Sequence, residues 1–139
     1  IAATVDAFGK LDILVNNAGS SPAGRIEDLD DDIWMASFEL KFMGYMRLSR
    51  AGLPAMRAQK WGRIVNVPSG TVALGSANYL HYITSKSAMI GMTRSMAREL
   101  GPWNVTVNTF WPGIIKTEVP RPSAPDAVFE MFSNQCNLT

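Results

Sequence analysis

The stretch Leu11–Gly19, LDILVNNAG, decides how this chain is read. Five largely apolar residues, Leu11–Val15, run without polar alternation and stop at Asn16-Asn17-Ala18-Gly19. A short apolar run bounded by turn formers is the pattern of a strand buried on both faces, as in a parallel sheet. The pattern recurs twice. Arg63–Val67 (RIVNV) leads into PSGTVALGSAN, and Val105–Phe110 (VTVNTF) leads into WPG. Helical spacing fills the intervals between these runs. Strands alternating with helices predict an α/β chain with a parallel sheet and helices on its faces.

The first long helix is predicted to begin at Asp30, an N-cap, with Asp31 and Asp32 placing negative charge where the helix dipole favours it. Trp34, Phe38, Phe42, Tyr45, Leu48 and Met56 follow at helical intervals as its inward side. Pro54 is expected to kink or shorten its last turns, and Gly62 to stop it. A second helix is predicted from Asn78 to Leu100, ended by Gly101-Pro102, and a shorter third from Pro125 to Ser133. Between the last two elements, the proline-rich KTEVPRPSAP reads as an exposed loop or lid.

Composition narrows the function. At 139 residues, 47% hydrophobic and 18% charged, the chain fits one globular domain. A net charge of +1 gives no electrostatic footing for nucleic acid or anionic lipid, and no apolar run reaches the ~18 residues that span a bilayer. A single cysteine, Cys136, and a single histidine, His81, argue against disulfides and against a metal centre. No N-terminal signal peptide is visible, and a reducing, cytoplasmic setting is expected.

In open parallel sheets, ligands bind beyond the carboxyl ends of the strands. The residues there are Asn16–Gly19, Pro68-Ser69-Gly70 and Pro112-Gly113, small or turn-forming types that let a ligand approach the backbone. Tyr82 and Lys86, in YITSK, lie four residues apart and so on one helix face. An unperturbed phenol titrates near ~10, too high for proton exchange at neutral pH, and closing the gap takes roughly 3 units, or ~4 kcal/mol. A neighbouring ammonium supplies stabilisation of that sign. A tyrosine so placed can give a proton to a carbonyl oxygen or take one from an alcohol. Ser69, thirteen residues upstream of Tyr82, can hydrogen-bond the same oxygen. Singly, each is a commonplace: a helical Tyr/Lys pair is usually surface packing and a serine after a strand is usually a turn residue. Their order and spacing carry the argument.

These segments together resemble the classical short-chain dehydrogenases/reductases. The matching stretches are LDILVNNAG, GRIVNVPSG (Gly62–Gly70), YITSK (Tyr82–Lys86), the connecting GMTRSMARELGPWNVTVN and VNTFWPGIIKTE (Val107–Glu118). The resemblance implies a doubly wound, Rossmann-like domain, of which residues 1–139 form the central and catalytic portion, and a cofactor that is NAD or NADP. It implies Tyr82 as general acid/base, Lys86 as the group that favours its ionisation and holds the nicotinamide ribose, and Ser69 as the residue orienting the substrate oxygen. Asn17, Ala18 and Gly19 would steady the sheet and approach the ribose, while Pro112, Gly113, Ile115 and Thr117 would line the nicotinamide. The activity implied is interconversion of a small secondary alcohol and a ketone or aldehyde by hydride transfer to or from the nicotinamide, and the full-length parent would be a dimer or tetramer of identical chains. For Asn66 and Asn108, strand-end hydrogen bonding is at least as good a reading as function. Trp111 could line the site, His81 reads as structural or substrate-lining, and Cys136 as inert.

Two departures qualify the resemblance. The family's glycine-rich phosphate loop is not found among the 139 residues, nor is the residue that selects NAD or NADP. The reading therefore expects further strands before Ile1 and after Thr139, and keeps as its rival a catalytically incompetent fragment acting as a structural or binding remnant. A nucleotide sensor fits less well, since a sensor has no need of the Ser–Tyr–Lys set. Second, the family's long-helix asparagine, part of a water relay, falls at Lys41, which either replaces the relay with another donor or snorkels outward.

Overall fold

The computed structural model describes residues 1–20, 22–116, 118, 126–127 and 129–130. Three parallel strands form one sheet in the order β1 (Ile13–Asn16), β2 (Gly62–Asn66), β3 (Val105–Thr109). In register, Leu14 lies beside Ile64 and Ile64 beside Val107, while Asn16 lies beside Asn66. Leu11, Leu14, Ile64, Val105 and Val107 share one buried cluster with Met56 and Leu100. This is the parallel sheet with flanking helices that the sequence predicts.

The helices follow from their caps. α1 (Ala2–Phe8) closes on Gly9, which adopts the left-handed conformation. α2 (Asp31–Phe38) begins as read: the Asp30 side chain accepts the Ile33 N–H at 2.9 Å. The helix does not then run on as one regular α-helix. A five-residue π segment, Glu39–Met43, joins it to α3 (Gly44–Ala58). Pro54 sits inside α3 without ending it. Gly62 is not the stop either. The chain turns at Lys60, in the left-handed region with φ of 51°, and Gln59 donates from its side-chain amide to the Leu11 and Trp61 carbonyls. Gly62 instead opens β2, where a Cβ would stand 2.6 Å from Met56 Sδ. Gly52 lets α3 lie close on the sheet, since a Cβ there would meet Leu11 Cδ2 at 2.8 Å.

After β2 come a single turn, α4 (Thr71–Leu74), and then α5 (Leu80–Leu100), two residues shorter at its start than predicted. Asn78 takes a left-handed conformation just ahead of α5. The third helix expected over 125–133 falls mostly outside the described residues. α3 and α5 cover the sheet face that carries Leu14, Ile64 and Val107; α1 adds Val5 to the same cluster. On the opposite face, Ile13 and Val15 are exposed.

Candidate active site

The carboxyl ends of the three strands are tied to one another and to α5. Lys86, two turns into α5, is buried and donates to the Val67 carbonyl just beyond β2 at 2.7 Å. Its amine also lies 3.4 Å from the Tyr45 hydroxyl, which donates to the Ala18 carbonyl beyond β1 at 2.9 Å. From the end of β3, the Pro112 carbonyl accepts the Gly70 N–H at 3.1 Å. Thus Tyr45 joins Ala18 to Lys86, Lys86 joins them to Val67, and the Ser69–Gly70 turn is fixed to Pro112.

Tyr82 is half-buried in the first turn of α5, with the Lys86 amine 5.9 Å from its ring centroid and the Tyr79 ring packed edge-on at 6.3 Å. Ser69 is partly accessible. Its oxygen accepts from the Thr71 N–H at 3.3 Å and from the Thr71 hydroxyl at 2.9 Å, so its own hydroxyl proton remains available to donate. Gly19 keeps the way to Lys86 open: a Cβ there would stand 3.7 Å from Nζ. Asn17 and Ala18 are exposed, as are Gly113 and Ile115, while Pro112 is half-buried. Thr117 and Cys136 lie outside the described residues. A cleft of about 450 Å³ lined by Ala23, Gly24, Arg25, Asp28 and Asn78 lies to the side and contains neither Tyr82 nor Lys86. The convergence of polar groups locates the candidate site better than hollow volume does.

Burial sets the charge state of these groups. It pushes Lys86 down from the usual lysine range to about 8, with Lys41 adding like-charge repulsion. Burial pushes Tyr45 up to about 12, with Tyr82 a lesser contributor, so Tyr45 remains a neutral phenol that donates to Ala18. From the sequence, Tyr45 stands out only as one of the helix's inward residues. Its spacing of four from Lys41 was the available signal for a site role.

Five other residues singled out by the sequence have clear positions in the structure. Lys41 does not snorkel outward; it is buried, and its amine donates to Ser37 Oγ at 3.0 Å. Asn66 is structural: fully buried, it accepts from Asn16 at 2.8 Å and donates to Thr93 at 2.9 Å. Asn108 is exposed and donates to Thr106, and Trp111 donates to Thr109 from an exposed position. His81 is buried and packs edge-on against Trp34 at 6.4 Å.

Fold and site together define a Rossmann-like α/β protein with a tyrosine–lysine helix at the carboxyl edge of its sheet. The family model for short chain dehydrogenases matches residues 1–127, and the chain belongs to that oxidoreductase family. It is 39% identical over 121 residues to 3-oxoacyl-[acyl-carrier-protein] reductase of Vibrio cholerae, covering 87% of this chain and 50% of that one. It is 39% identical over 117 residues to trans-4-hydroxycyclohexanecarboxylate dehydrogenase of Sinomonas cyclohexanicum, covering 84% and 45%. The crystal structure of an NAD+-bound xylitol dehydrogenase superposes with a TM-score of 0.78 at 33% identity, over 84% of this chain and 45% of that one. The chain therefore spans about half the length of the relatives it matches.

Proposed function

We propose that the protein carrying this chain interconverts a small alcohol and the corresponding ketone or aldehyde, with NAD or NADP as redox partner and Tyr82 as general acid/base. The observation that carries this reading is the convergence at the sheet's carboxyl edge. There Lys86, bonded to the Val67 carbonyl at 2.7 Å, holds a buried amine near the Tyr82 ring. In the reductive direction, Tyr82 Oη gives its proton to the carbonyl oxygen; in the oxidative direction it takes the proton of the alcohol. Ser69 donates its hydroxyl proton in a hydrogen bond to the same oxygen and steadies the charge developing there. Tyr45 and the Val67 carbonyl fix the Lys86 amine, which spends two of its three N–H groups on them and keeps one for a ligand.

The residues at the strand ends suit a nicotinamide cofactor. Gly19 leaves the approach to Lys86 free, and a Cβ on Gly113 would meet nothing within 4 Å, so both backbone segments admit a ring or a sugar. Asn17, Ala18, Gly19 and Lys86 would hold its ribose, and Pro112, Gly113, Ile115 and Thr117 its nicotinamide. When bound, the cofactor supplies or accepts the hydride at the substrate carbon. Tyr82→Phe removes the proton donor while keeping the ring. Turnover of a carbonyl substrate is expected to fall by about a hundred- to ten-thousand-fold, with cofactor binding retained. Unchanged turnover would remove Tyr82 from the mechanism.

A further inference from the structure

Lys41 is the feature the proposed mechanism does not use. Lysine almost never buries its amine without a partner of opposite charge, yet Lys41 is 1% exposed. Among the described residues its amine makes no ion pair, only the hydrogen bond to Ser37 Oγ. Ser37 Oγ in turn donates to the His81 carbonyl at 3.4 Å, so this short chain of bonds reaches the first turn of α5, one residue from Tyr82. The Lys41 amine stands 5.7 Å from the Tyr82 ring centroid, nearly the distance of Lys86 at 5.9 Å.

The backbone is built to put it there. Ser37, Lys41, Tyr45 and Ser49 are all buried, at successive steps of four. In a regular α-helix each such step overshoots a full turn by about 40°, so three steps would carry the stripe off the inward face. The π segment Glu39–Met43 takes up that drift with its wider turn. Irregular π turns of this kind cost regular hydrogen bonding and are found disproportionately at functional sites.

We propose that Lys41 is a second positioning amine of the site, seated by the π segment over the same phenol ring as Lys86 and coupled to Lys86 by charge. The inference rests on the reading that Tyr82 and Lys86 carry the proton chemistry. The titratable groups around the two amines are Tyr82 and His81 from α5 and Tyr45 from α3. From beyond β2, the Val67 carbonyl accepts from Lys86. No carboxylate is paired with either amine among the described residues. Two ammonium groups in one buried site repel, and Lys41 accordingly helps hold Lys86 near 8, while burial lowers Lys41 itself. Lys41 thereby limits how far up in pH Lys86 stays charged, and with it the alkaline range over which the site works.

The test is a pH titration of the Lys86 side chain by NMR, in the protein carrying this chain and in its Lys41→Met and Lys41→Arg variants, with Lys86→Met to assign the signal. In Lys41→Met the Lys86 midpoint is expected to rise by roughly one unit, the scale of one like charge at several ångströms. In Lys41→Arg, which keeps the charge, it does not rise. An unmoved midpoint in folded Lys41→Met overturns the proposal. Should that variant unfold, Lys41→Gln decides by the same criterion. The alkaline limb of the pH–rate profile should move upward with the midpoint. A shifted midpoint in a protein without turnover leaves the lysine coupling intact and counts against the oxidoreductase reading instead.

Discussion

Lys86 sits 3% exposed with its amine held down to about 8, against an ordinary lysine value of 10.5. Between those two values the unfolded chain carries more protons than the folded one, so stability rises with pH across that window, and below about 8 the full penalty applies. Lys86→Met removes this penalty but also takes the amine donor from the Val67 carbonyl, so its stability relative to the parent should fall by up to about 3 kcal/mol between neutral pH and pH 10.5, any gap in its favour narrowing. Urea melts at several pH values check this, and a gap that widened with pH would contradict it. The same lysine shows what a sequence does and does not disclose about a residue. The spacing of Tyr82 and Lys86 is local and legible, because a helix fixes which residues share a face. The partners Val67, Tyr45 and Lys41 come from other elements, and nothing in the local pattern names them.

Among the elements, the helix between β1 and β2 departs most from its reading. Trp34, Phe38 and Phe42 do pack, with neighbouring ring centroids 6.3 and 6.4 Å apart, but they are only half-buried, and Leu48 is exposed. The deeply buried stripe is Ser37, Lys41, Tyr45 and Ser49. A search for apolar periodicity misses it because three of its four members are polar and because the π segment resets the period midway. The stripe continues into a polar seam under the sheet, where Asn16 donates to Ser49 at 3.1 Å and to Asn66 at 2.8 Å, and Asn66 donates to Thr93 at 2.9 Å. This seam links β1, β2, α3 and α5 and so holds the helix bearing Tyr82 against the strand ends. Asn66→Ala should cost about 2–3 kcal/mol, since it strands the buried amide of Asn16 and the hydroxyl of Thr93. Urea denaturation at neutral pH measures it, and a loss under half a kilocalorie would show the seam to be dispensable. Strand positions, by contrast, were legible to within a residue or two, because a buried parallel strand is a nearly continuous apolar run.

At the scale of the whole molecule, the sheet is covered on one face only by the described residues. On the other face Ile13 and Val15 are each 57% exposed, beside Val65 on the next strand. β1 and β3 are edge strands in this three-stranded sheet. Bare apolar faces and open edges favour association. The 139-residue chain by itself is expected to self-associate, and Ile13→Thr with Val15→Thr to reduce that association. Sedimentation velocity distinguishes the outcomes, and a cooperatively melting monomer of the unmodified chain would refute the expectation. The fold class, the order of strands and helices, and the family were all recoverable from the motifs. The electrostatic character of the site was not, because two buried lysines acquire their coupling only when the long helix is folded against α5. The proton chemistry of Tyr82 stands at the centre of the account, and the most direct measurement is the rate of nicotinamide-dependent carbonyl reduction in the protein carrying this chain, with and without Tyr82→Phe. A loss of about a hundredfold or more is expected, with cofactor affinity preserved; equal rates in the two proteins would rule out Tyr82 as the proton donor.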